Sequence, residues 1–100
     1  MKYNKLVRDK IPEIIKKKGE KCKTHIASDK EYWKKLKEKL LEEIKEFGEN
    51  ETIEEMADIL EIIDTVCRYK KFNRRKLESV KKQKAKERGR FKKKIILEES

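Results

Sequence analysis

Two short runs in this 100-residue chain hold the side chains best suited to chemistry: Glu42-Glu43-x-x-Glu46 and Glu55-x-x-Asp58. On a helix, residues three apart stand on neighbouring turns of one face. Glu43 with Glu46, and Glu55 with Asp58, therefore form two carboxylate pairs. Glu43 falls beside the apolar stripe of its segment, and Glu55 falls between the directions of Ile62 and Val66. Both pairs are thus aimed at a helix–helix seam and away from bulk water. Like charges at a partly buried seam repel and lose hydration, so they need compensation. Four carboxylates on two antiparallel helices supply an oxygen-rich site for Mg²⁺ or Mn²⁺. Mg²⁺ takes octahedral oxygen ligation, keeps several waters and uses phosphates as further ligands. No histidine joins the set, which argues against di-iron chemistry. The alternative is an acidic, solvated helix pair in which Glu55 is only a capping residue.

The elements that must position these groups are marked by caps and breakers. Asp9 is placed to cap a short helix with Pro12 in its first turn and Gly19 past its end. Ser28 with Glu31 is a capping-box pattern that opens a helix from about Asp29 to Phe47, ended by Gly48. Thr52 with Glu55 repeats the pattern for a third helix reaching about Tyr69. Asn73 caps a fourth, from about Arg74 to Glu87, stopped by Gly89. Trp33, Leu36, Leu40, Ile44 and Phe47 share one face of the second helix, so Trp33 reads as a core residue. The third helix has a much wider apolar face: Ile53, Met56, Ile59, Leu60, Ile63, Val66 and Cys67. The expected fold is a single all-α domain over residues 1–100, an antiparallel bundle of about four helices completed by oligomerisation. A minor short β pairing between segments near 22–27 and 92–97 is also expected, from the alternation around Thr24 and the Ile95-Ile96-Leu97 end.

Composition sets outer limits. Lys and Arg number 30, Asp and Glu 20, and the net charge is +10. The segment from Glu42 to Asp64 holds ten acidic residues and one basic, so a basic shell surrounds an acidic centre. That pattern suits a site holding divalent cations and an anionic ligand together. The excess of Lys and Glu over Gln and Asn also matches the bias of hyperthermophile proteins. The longest wholly apolar run is three residues, Ile95-Ile96-Leu97, too short for a transmembrane helix or a secretory signal, so a cytoplasmic location is expected. Cys22 and Cys67 form no metal-type pair, and His25 is the only histidine.

The Glu42-Glu43-x-x-Glu46 and Glu55-x-x-Asp58 runs resemble the EExxE…ExxD signature of the all-α nucleoside triphosphate pyrophosphohydrolases. These are the MazG-like proteins and their relatives, phosphoribosyl-ATP pyrophosphohydrolase and dimeric dUTPase. The opening Tyr3-Asn4-Lys5-Leu6-Val7-Arg8-Asp9-Lys10-Ile11-Pro12 and the closing Lys84-Ala85-x-x-Arg88-Gly89-x-Phe91 are similar to the ends of a small MazG-related subgroup. The resemblance implies Mg²⁺-dependent hydrolysis of an NTP or dNTP to the monophosphate and pyrophosphate. It implies that Glu43, Glu46, Glu55 and Asp58 bind metal and that Glu42 orients or deprotonates the attacking water. Arg8, Lys10, Lys84 and Arg88 are the candidates for holding phosphate. The stretch between the motifs is short and holds Gly48 and Asn50, so a substrate pocket is expected to need a second subunit, as a homodimer or higher homo-oligomer. Phosphoribosyl-ATP, a non-canonical NTP and a dNTP remain open as substrates. A different class of reading is a small basic nucleic-acid-binding protein, since residues 68–94 hold 15 basic and two acidic side chains. No standard nucleic-acid motif accompanies that charge.

Overall fold

Caps at the predicted places open three of the four helices. A computed structural model describes residues 4–100, so Tyr3 of the opening motif lies outside the described residues. The described chain is all-helical: α1 (Ile11–Lys17), α2 (Asp29–Glu49), α3 (Ile53–Tyr69) and α4 (Arg74–Arg88). The Ser28 hydroxyl accepts from the Glu31 N–H at 3.2 Å and opens α2. Thr52 Oγ1 does the same for Glu55 N at 3.2 Å. Asn73 Oδ1 accepts from Lys76 N at 3.0 Å and opens α4. Such caps satisfy amide groups that the first turn leaves without partners.

Three local expectations are corrected. The residue before α1 is Lys10, which makes no side-chain cap; Pro12 lies in the first turn, where its missing N–H costs nothing. The chain leaves α1 at Gly19 (φ +79°), with Gly19 N and Glu20 N donating back to Lys16 O and Ile15 O. Gly48 does not end α2. The helix runs on to Glu49, and Asn50 N–H closes on Glu46 O at 2.9 Å. No strand forms among the described residues, so the short pairing expected near 22–27 and 92–97 is absent. Ile26, Ile95, Ile96 and Leu97 are each more than three-quarters exposed. Runs of two or three alternating residues bury too little to fix a strand.

The chain divides into two units, Met1–Val66 and Cys67–Ser100. In the first, α2 and α3 are joined by Asn50, Glu51 and Thr52 alone, which makes them antiparallel neighbours. Leu36 is fully buried, and Trp33, Leu40 and Phe47 are partly covered. The wide face of α3 is only half used: Ile59, Ile62 and Val66 are partly covered, while Ile53, Met56, Leu60 and Ile63 remain exposed, as does Ile44 of α2. In the second unit, α4 and the residues after it are exposed except for a partly covered Ala85. No helix of the described residues is long and apolar enough to cross a membrane.

Candidate metal centre

The α2–α3 hairpin brings Glu43, Glu55 and Asp58 together. One carboxylate oxygen from each lies within 4.8 Å of the others. Glu43 reaches this point from the middle of α2, where its side chain is buried with only 6% of the residue exposed. Glu55 and Asp58 approach from the first two turns of α3 and are partly covered. The Thr52 cap matters here. Thr52 N–H donates to Asn50 O at 2.8 Å, so the reciprocal half of a capping box is not needed from Glu55. Its carboxylate instead joins the cluster.

Two of these oxygens, Glu43 Oε2 and Glu55 Oε2, are buried with no hydrogen-bond partner. A buried carboxylate oxygen without a partner costs on the order of 1–3 kcal/mol or more. Two cations offset the cluster locally: Lys39 Nζ stands 3.2 Å from Glu43 Oε1 and 3.5 Å from Glu42 Oε2, and Arg8 Nη2 stands 2.7 Å from Asp58 Oδ1. Two cations, one of them shared with Glu42, against three converging carboxylates leave a negative, oxygen-lined site. Glu43, Glu55 and Asp58 are the groups that would hold a divalent cation that takes oxygen ligands.

Glu46 does not join the group of three. Burial and a hydrogen bond it can make to Glu43 when protonated, with the charges of Glu43, Glu42 and Glu55, raise its carboxyl above the usual range. It stands at the edge of the negative field. Glu42 faces a different neighbour: Lys5 Nζ donates to Glu42 Oε1 at 2.8 Å. That hydrogen bond is the main reason the Glu42 carboxyl is held below its ordinary value and the Lys5 ammonium above its own. Arg8 Nη2 donates to Asp58 Oδ1 at 2.7 Å, so the segment before α1 lies against both helices of the hairpin. Lys10 is exposed at the start of α1 and makes no ion pair among the described residues. Lys84 and Arg88 belong to the second unit, exposed and one turn apart on α4.

Sequence reasoning passed over Lys39 and Lys5. Lys39 carried a signal: it lies four residues before Glu43, the spacing of a helical ion pair. Lys5 carried none, being 37 residues from Glu42. Compared with protein-family models, curated proteins and solved structures, the chain matches none at a significant level.

Proposed function

We propose that the chain is a Mg²⁺-dependent nucleoside triphosphate pyrophosphohydrolase whose metal is held by Glu43, Glu55 and Asp58. The observation that carries this reading is the convergence of three carboxylates with two buried oxygens left unpartnered. That donor set, all oxygen and negatively charged, fits Mg²⁺ or Mn²⁺. The resemblance of the two carboxylate runs to the MazG-like signature supports the same reading. Glu46 is then a fourth ligand recruited on loading, through a turn of its side chain.

A bound Mg²⁺ would neutralise phosphate oxygens and lower the pKa of a coordinated water. The chain's own residues supply the rest. Glu42, hydrogen-bonded by Lys5, accepts a hydrogen bond from the attacking water and orients it; a carboxyl held below its ordinary value is a better orienting group than a base. Arg8 lies beside the centre, with Lys10 two residues on, as donors to phosphate oxygens. Ile44, Ile53, Met56, Leu60 and Ile63 form an uncovered apolar face on the hairpin, and a second copy of the chain covers it in a homodimer. A non-canonical NTP, a dNTP and phosphoribosyl-ATP are the candidate substrates.

The test is pyrophosphate release from a panel of NTPs, dNTPs and phosphoribosyl-ATP, with Mg²⁺ and with chelator. Metal-dependent release from at least one substrate is expected. The second reading, a nucleic-acid binder, is favoured by one observation: residues 67–100 hold 15 basic and four acidic side chains, almost all exposed. RNA binding with steep salt dependence and no turnover of any nucleotide would replace the first reading with the second.

A further inference from the structure

The segment Asn4–Lys10 is pinned to the hairpin at two points, and the pins fall on the two helices that build the acidic cluster. Lys5 holds Glu42 of α2 at 2.8 Å, and Arg8 holds Asp58 of α3 at 2.7 Å. Leu6, between them, is partly covered. Asp58 is one of the three converging carboxylates, so Arg8 stands where a cation is needed. The pair is open to solvent, with side-chain exposures of 58% and 40%, and an exposed ion pair is weak.

From this we infer that Arg8 is the resident counter-ion of the cluster and that a divalent cation displaces it, freeing its guanidinium to grip an anion held at the same centre. The inference rests on the metal-centre reading above. The physical argument has three steps. A divalent ion drawing on Asp58 competes with Arg8 for the same carboxylate, and the two positive charges repel. The weaker, solvent-screened partner leaves. Lys5, bound to Glu42 outside the group of three, keeps the segment tethered, so the released guanidinium stays within a few residues' reach of the site. Its fork of donors matches two oxygens of a phosphate group in a way that a lysine ammonium does not. Anion binding is thereby made conditional on metal binding: without metal, Arg8 is occupied and the site is negative.

The test uses the full chain and two probes, Mn²⁺ alone and then inorganic phosphate at saturating Mg²⁺, both followed by titration calorimetry. Arg8→Gln removes the competitor, so its Mn²⁺ affinity should rise, by up to about fivefold for an exposed pair. Its phosphate affinity should fall severalfold. Arg8→Lys keeps the charge and loses the fork; it should bind Mn²⁺ like the parent chain and phosphate more weakly. Helical circular dichroism of both variants checks that the fold is intact. In the parent chain, phosphate uptake should vanish with chelator. If Mn²⁺ binds the parent chain and Arg8→Gln no more weakly or strongly than each other, the exchange is wrong while the metal centre stands. Unchanged phosphate affinity in Arg8→Gln overturns the gripping role. Absence of Mn²⁺ binding to the parent chain overturns the metal centre and the exchange together.

Discussion

Glu43 is the side chain on which the account turns. It is buried, one of its oxygens has no partner, and Lys39 at 3.2 Å is its visible counter-charge. Removing one member of a buried charged pair leaves the other uncompensated. Lys39→Met should therefore lower stability by about 1–3 kcal/mol in urea unfolding, and added Mg²⁺ should restore part of it, because a ligand that binds only the folded state stabilises it. Glu43→Gln and Asp58→Asn should each reduce pyrophosphate release at least 100-fold with helicity unchanged, as read by steady-state assay and circular dichroism. Glu43, Glu55 and Asp58 were legible in the sequence, because their spacing along helices fixes which face they occupy. Glu46 was read as their equal, yet one turn further along α2 it falls outside the group of three. Lys5 and Arg8 find partners 37 and 50 residues away, and no periodicity within one helix encodes a register between a loop and a hairpin.

The elements are set by their ends. Ser28, Thr52 and Asn73 each cap a helix through an N–H three residues on, and all three were readable as local patterns. Loss of a cap costs about 1 kcal/mol. Ser28→Ala and Thr52→Ala should thus lose similar stability in thermal melts. Only Thr52→Ala should also weaken Mn²⁺ binding, because Thr52 fixes the turn from which Glu55 and Asp58 project. Equal Mn²⁺ affinity in the two variants would separate the cap from the centre. Gly48 was misread as a terminator: a glycine within a helix costs only about 1 kcal/mol relative to alanine, and α2 runs on through it to Glu49. The expected strands failed for the opposite reason: their apolar residues are too few and too exposed to repay the ordering of an extended chain.

At the scale of the whole chain, charge is partitioned. Residues 1–66 hold 15 basic and 16 acidic side chains, while residues 67–100 hold 15 basic and four acidic. The net positive charge therefore belongs to the second unit. A field of that sign raises the encounter rate of a polyphosphate and is screened by salt. Raising salt from about 0.05 to 0.5 M should lower kcat/KM by on the order of 10-fold with kcat little changed. The exposed apolar residues of the hairpin test the dimer. Leu60→Lys should shift the sedimentation of the chain from dimer to monomer, and a parent chain that already sediments as a monomer would contradict the second copy. The sequence showed the wide apolar face of α3, but which of its residues one chain covers depends on packing between helices.

Manganese titration followed by electron paramagnetic resonance tests the central claim most directly. The free-ion signal should be quenched as the parent chain is added, to a defined stoichiometry. With Glu43→Gln it should persist. Equal quenching by both proteins, or none by the parent chain, would contradict a metal centre built on Glu43, Glu55 and Asp58.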